Sequence, residues 1–167
     1  MARAKRKGTH TMTITYRTAT IADIKEVAEL SSLMHSPPYT TDEDLTIEEC
    51  TEMHREEFES DDEIAFFLAF DGSIPVGLSY VTHKYEYVEG TDMDGTTGYL
   101  EGIYVKPNYR NKGIAKNLVD MCENWAKEQG AREFASGCLI DNNESLAFHL
   151  KYGFEETQRI ICFNKKI

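Results

Sequence analysis

Tyr99-Leu-Glu-Gly-Ile-Tyr-Val105, followed by Lys106-Pro-Asn-Tyr109 and Arg110-Asn-Lys-Gly-Ile-Ala115, is the stretch that decides the fold. Its first part is rich in aromatic and aliphatic residues and predicts a strand over Tyr99–Val105, which Lys106-Pro107 stops. From Gly113 to Gln129 the apolar positions Ile114, Leu118, Val119, Cys122, Trp125 and Ala126 recur at helical spacing, and Gly130 suits the C-terminal cap. A strand, a short loop and a helix start together present unpaired backbone N–H groups and the positive end of a helix dipole, which bind phosphate. Arg110 and Lys112 add cationic charge, and Gly113 and Ala115 are small where backbone has to approach a ligand closely. A helix that merely begins with basic residues would show the same short pattern. The position after an apolar strand and before an amphipathic helix is what gives it weight.

Upstream, Thr13–Arg17 alternates like a strand, and Thr20-Ile-Ala-Asp23 reads as a capping box opening a helix with Ile24, Val27, Ala28 and Leu30 inward. Ser36-Pro37-Pro38-Tyr39 ends it, and a second capping box, Thr46-Ile-Glu-Glu49, opens a helix with Ile47, Cys50, His54 and Phe58 on its inner face. Ile64–Phe70 is a buried-type strand joined by Asp71-Gly72 to a partner from Val76 to about Tyr85. Downstream, a strand over Glu133–Leu139, a short helix over Asn143–Tyr152 and a closing strand over Phe154–Phe163 are expected. This order predicts an α/β fold with a mixed sheet flanked by helices, as one domain over 13–167 behind a basic, flexible leader at 1–12.

Bulk properties narrow the function. The 167 residues suffice for one self-supporting core, and no apolar run is long enough to cross a bilayer. The net charge of −11 speaks against nucleic acid and favours a cationic small substrate. Asp42–Glu63 alone holds twelve acidic residues against one arginine, Arg55, a run that reads first as a solvated helix face. Cys50, Cys122, Cys138 and Cys162 are scattered without a C-x-x-C pair, so no metal is expected, all four read as small buried apolar residues, and a cytoplasmic setting follows.

The Arg110–Ala115 segment resembles motif A of the GNAT acetyltransferase superfamily. Asn142-Asn-Glu-Ser145 through His149-Leu-Lys-Tyr-Gly-Phe154 resembles its motif B, and the likeness runs from about Ile14 to the end. The resemblance implies acetyl-CoA in a cleft between splayed central strands. It puts the backbone of Ile103, Tyr104 and Val105 along the cofactor. Arg110, Asn111, Lys112, Gly113, Ile114 and Ala115 would lie at the pyrophosphate, and Asn142, Ser145 and His149 beside the pantetheine arm. His149 stands where many members have a tyrosine serving as general acid; it either takes that role or packs beside the cofactor.

An acceptor amine is charged at neutral pH and has to lose a proton before it attacks a thioester, so a base is required. Glu101 is an isolated acid in the apolar strand and is the candidate; the alternative is an acid that merely faces solvent. The resemblance also implies that the strand splays near Gly102-Ile103, with the Ile103 N–H donating to the thioester oxygen.

Leu100-Glu-Gly-Ile-Tyr-Val-Lys-Pro107, Glu86-Tyr-Val-Glu-Gly90, Phe134-Ala-Ser136 and Gly153-Phe-Glu-Glu-Thr157 are similar to a narrower group, the aminoglycoside 6′-N-acetyltransferases. That likeness implies an aminoglycoside substrate touching Tyr87 and Glu101, and a homodimer. Where those enzymes often carry an aspartate after Ala-Ser, this chain has Gly137; Asp141, Glu144 or the acids Glu89, Asp92 and Asp94 of the 89–98 loop are the candidates to replace it, and Asp141 is assigned to the substrate. Polyamines fit the same charge, and a non-catalytic acyl-CoA sensor is the reading of a different class.

Overall fold

The structure, a computed structural model, describes residues 12–36, 45–60, 63–85, 88–92 and 95–166. Tyr87 and Glu86, Pro37 to Tyr39 and Asp94 lie outside the described residues. Five strands form one sheet in the order β1 (Ile14–Thr18), β2 (Ile64–Asp71), β3 (Ile74–Lys84), β4 (Thr97–Val105) and β5 (Glu133–Ser136). The first four pair antiparallel, and β5 joins β4 in parallel, so the sheet is mixed. Helices α1 (Ile24–Met34) and α2 (Ile47–Glu59) lie on one face, and α3 (Ile114–Glu128) covers the other; α4 (Asn143–Lys151) follows β5.

β2 shows why this sheet is buried on both sides. Ala65, Phe67 and Ala69 join the cluster under α3, whereas Phe66, Leu68 and Phe70 join the cluster under α1 and α2. Period-two alternation with apolar residues on both faces gives the continuous run seen in the sequence. The inner face of α3, Ile114, Leu118, Val119, Cys122 and Ala126, is buried as its spacing predicts, with Trp125 half-buried.

Both capping boxes form. At Thr46 the side chain accepts from the Glu49 N–H at 3.2 Å while Glu49 accepts from the Thr46 N–H at 2.9 Å. At Thr20 the box opens a 3-10 turn, Ile21–Asp23, that runs directly into α1. Asp23 also receives two hydrogen bonds from Arg17 of β1, at 2.7 and 2.6 Å, so one carboxylate fastens the first strand to the first helix.

Four expectations are corrected. Among the described residues, 154–166 form no strand: beyond the half-buried Phe154 the segment is exposed, with Ile160, Ile161 and Phe163 at 55%, 78% and 91% accessibility. A strand needs a ladder partner, and among the described residues the sheet offers none to this segment. β5 stops at Ser136, three residues short of the expected end, where the chain turns toward α4. Ile47 is half exposed because it sits in the first turn of α2, ahead of the buried Cys50 and His54. Cys50 and Cys122 are buried, but Cys138 and Cys162 are exposed because the segments holding them do not join the core.

The Arg17 hydrogen bonds hold the Asp23 carboxyl down at about 2, below its ordinary value of 3.8. A depressed carboxyl stabilises the fold above its unfolded value and loses that contribution as pH falls through the folded one. Asp23→Asn is expected to cost about 1–2 kcal/mol near neutrality, a difference that fades below about pH 4 and vanishes near pH 2. Denaturant titrations of both proteins across that range check it.

Candidate active site

β4 is the strand on which the site is built. Along β3, Val81 pairs with Leu100 but Tyr80 pairs with Gly102, so Glu101 is an extra residue, a β-bulge. The bulge resets the alternation: Leu100 and Ile103, three positions apart, both face the α3 cluster. Glu101 and Gly102 between them both face the other side. Glu101 lines a cavity there with Tyr80, and a Cβ on Gly102 would come within 2.4 Å of the Tyr80 ring and 2.8 Å of Met34. On its opposite edge β4 pairs with β5 only from Thr97↔Glu133 to Leu100↔Ser136. From Glu101 to Val105 no described strand pairs with that edge. The fork expected at Gly102-Ile103 therefore opens one residue earlier, at Glu101.

The loop at the far end of the fork is built as an anion cradle. Asn111 and Gly113 both adopt left-handed backbone, with φ of 58° and 81°, and α3 starts at the next residue. Such turns expose successive N–H groups at a helix start. A Cβ on Gly113 would meet nothing within 4 Å, so the backbone there is bare toward open space. Arg110 reaches back to the Val105 carbonyl at 2.9 Å, fixing the loop to the end of β4, and its guanidinium lies 3.6 Å from Glu144 in the first turn of α4. Lys112 donates to the Asn108 carbonyl at 2.8 Å. These groups fit a pyrophosphate: bare amides, a helix of fifteen residues behind them, and two cations at the rim.

α4 forms the other wall. Asn142 caps it by accepting from the Ser145 N–H at 3.0 Å, which leaves the amide nitrogen of its side chain as a donor. His149 joins α4 to the sheet: Nδ1 donates to the Ser145 carbonyl at 2.7 Å, and Nε2 lies 3.0 Å from Ser136 Oγ, which in turn is 3.0 Å from the Leu100 carbonyl. Ser136 has one hydrogen to give, to Leu100 or to His149. The imidazole therefore sits in a relay that ends at the last paired residue of β4, where the fork begins.

The opposite face of the fork is a cavity of about 290 Å³ lined by Glu57 and Ser60 of the α2 end, Ile64, Tyr80, Thr82, Lys84 and Glu101. Thr82 donates to Glu101 Oε1 at 2.7 Å and Lys84 Nζ lies 2.6 Å from the same oxygen. Glu101 thus faces neither bulk solvent alone nor the core; it is a held carboxylate in a polar hollow. Glu57, on the second wall, is gripped at 2.5 Å by Nδ1 of the fully buried His54, whose ring stands edge-on to Phe66 and Tyr80. Burial pushes the Tyr80 hydroxyl well above its ordinary value, so it remains a neutral hydrogen-bonding group.

Glu57, Tyr80, Thr82 and Lys84 are site residues that sequence reasoning missed. Tyr80, Thr82 and Lys84 share one strand face by their period of two, and Glu57 stands three residues from His54, but nothing short of the strand pairing relates either set to Glu101. Asp141 lies in the turn before α4 and Glu144 faces Arg110. Neither lines the cavity beside Glu101. At Gly137 an added Cβ would come within 2.9 Å of the Tyr99 hydroxyl, so that hydroxyl occupies the space beside the glycine. Burial, and next the charge of Glu101, raise the Tyr99 hydroxyl above its ordinary value. Among the described residues no cluster of three or more His, Cys, Asp or Glu could hold a metal, and no helix is long and apolar enough to cross a membrane.

Comparison with known proteins agrees with this geometry. The family described as acetyltransferase (GNAT) matches residues 24–154. An aminoglycoside N(6′)-acetyltransferase type 1 of Acinetobacter genomosp. 13 is 50% identical over 84 residues, half of this chain and 57% of that relative's length. Its counterpart in Salmonella typhimurium is 35% identical over 111 residues, 66% of this chain and 76% of the relative. Among solved structures, the apo aminoglycoside 6′-N-acetyltransferase AAC(6′)-IG of Acinetobacter haemolyticus is 33% identical, with a TM-score of 0.77 over 92% of this chain and 99% of that one. AAC(6′)-Iy in complex with a bisubstrate analogue, CoA-S-monomethyl-acetylneamine, superimposes with a TM-score of 0.78 at 26% identity over 93% and 99% of the two chains. The fork in β4, the cradle before α3 and these likenesses agree, and the chain belongs to the acetyltransferase (GNAT) family.

Proposed function

We propose that this chain transfers the acetyl group of acetyl-CoA to the 6′-amine of an aminoglycoside. The observation that carries it is Glu101: a carboxylate set on a bulge where β4 leaves β5, with the cofactor fork on one side and an acid-walled cavity on the other. Acetyl-CoA supplies the activated acyl group. The amides of Asn111 to Ala115, with Arg110 and Lys112, hold its pyrophosphate, and Asn142 and Ser145 flank the pantetheine arm. The backbone of Ile103, Tyr104 and Val105 lines the fork, where the Ile103 N–H donates to the thioester oxygen. His149 fixes α4 against the fork through Ser136. Glu101 accepts the proton of the acceptor ammonium, directly or through water. Glu57 and Glu101, which line that one cavity, suit a substrate with several ammonium groups.

A second copy of the chain completes the molecule as a homodimer in the cytoplasm. What supports this is the C-terminal segment, whose Ile160, Ile161 and Phe163 lie exposed without a partner strand in the described chain and suit β-pairing with a second copy.

Thiol release from acetyl-CoA is the measurement that tests the reaction. It is expected with kanamycin and tobramycin but not with an analogue carrying a 6′-hydroxyl, and expression of the chain is expected to protect bacteria from both drugs. Release with spermidine but with no 6′-amino aminoglycoside would overturn the acceptor class. Glu101→Gln is expected to lower turnover on the order of 10²–10⁴ while leaving acetyl-CoA affinity near its original value. Gly113→Asp is expected to weaken acetyl-CoA binding on the order of tenfold or more by calorimetry, since a negative charge enters a phosphate cradle. Gly113→Ala carries the left-handed strain, about 1–2 kcal/mol, without the charge, so it separates the two effects.

A further inference from the structure

The reaction's acceptor is a primary amine, and the protein already holds one against the base. Lys84 Nζ lies 2.6 Å from Glu101 Oε1 and shares that oxygen with the Thr82 hydroxyl. Lys84, Thr82 and Tyr80 stand on one face of β3, and with Glu101 they line the same cavity. The other ion-paired lysines of the described residues sit on carboxylates elsewhere: Lys106 on Glu29, Lys116 on Asp120 and Lys127 on Glu123. Lys84 is 41% exposed and its ammonium lies 5.6 Å from the centre of the Tyr99 ring, so the side chain is not locked in the core.

The geometry points to Lys84 as an internal acceptor: in the absence of substrate, the protein acetylates its own Lys84 with acetyl-CoA. This rests on the role of Glu101 and the cofactor fork given above. Glu101 takes one proton from the Lys84 ammonium, and the freed nitrogen lone pair attacks the thioester carbonyl carbon. As the new N–C bond forms the C–S bond breaks, and the sulfur leaves with its electron pair. The nitrogen's second proton passes to that thiolate, giving coenzyme A thiol, and Glu101 returns its proton to water. The product is Nε-acetyl-lysine at position 84, formed once per chain. The modification removes the cation from Glu101 and leaves a neutral amide in the acceptor cavity. Substrate and Lys84 therefore compete for one carboxylate, and an aminoglycoside ammonium that displaces Lys84 suppresses the self-reaction.

The test incubates the full chain with acetyl-CoA and no acceptor, and follows each lysine by peptide mass spectrometry. The heat-unfolded chain gives the background of chemical acetylation. One acetyl group is expected at Lys84, accumulating on the order of 10²-fold faster than on the unfolded chain, because the amine is held beside a carboxylate that takes its proton as it attacks. Glu101→Gln is expected to remove that excess, kanamycin to suppress it, and Lys84→Arg to abolish the label. Labelling of Lys84 no faster than in the unfolded chain or in Glu101→Gln overturns the inference. Thiol release with kanamycin in the same preparation then shows that the acceptor assignment stands without it. Labelling of Lys84 in a preparation that releases no further thiol when any aminoglycoside is added supports the inference and overturns the acceptor assignment.

Discussion

The parallel pairing of β4 with β5 lasts four residues, from Thr97 to Leu100, and the rest of the structure is arranged around its ending there. Backbone hydrogen-bonding groups cannot stay buried without partners, so a strand that leaves its neighbour inside a sheet has to be given something else to bind. The bulge at Glu101 provides the departure, and α3 and α4 hold the two sides apart. Arg110 ties the α3 side to the Val105 carbonyl, while His149 and Ser136 tie the α4 side to Leu100. The opening is thus held at both ends, and the backbone inside it is left for a ligand.

The same bulge divides labour between the two faces of the sheet. Because the extra residue resets the alternation, β4 keeps Leu100, Ile103 and Val105 in the α3 core while turning Glu101 and Gly102 to the other face. A regular strand would have sent either Leu100 or Ile103 to the wrong side. The unpaired edge of β4 and the cavity at Glu101 thus adjoin along one short stretch of backbone, an arrangement that suits direct transfer between two bound molecules.

Much of this was legible in the sequence because it depends on local chemistry. The cradle before α3, both capping boxes, the apolar face of α3 and the isolated acid Glu101 are all patterns within a dozen residues. What was not legible depends on register. Glu57 belongs to an acidic run that reads as a solvated face, and only its contact with the buried His54 shows otherwise. Lys84 lies seventeen residues before Glu101, and the pairing of β3 with β4 alone brings them together. The segment after Gly153 has the composition of a strand, but composition cannot supply the neighbour that a strand needs, and among the described residues it has none.

Gly137 and Tyr99 carry a consequence for how this site can change over generations. The Tyr99 hydroxyl stands 2.9 Å from where a Cβ at 137 would be, so the two positions share one parcel of space. Any side chain gained at 137 requires the tyrosine to shift or to shrink, and a shift disturbs the ring beneath the Lys84 ammonium. Mutational routes to a carboxylate at 137 are therefore ordered: a change at 99 opens the way, whereas the reverse order passes through a crowded intermediate. A residue of β4 and one just past the end of β5 thus drift as a linked pair, and the history of one restricts what the other can become.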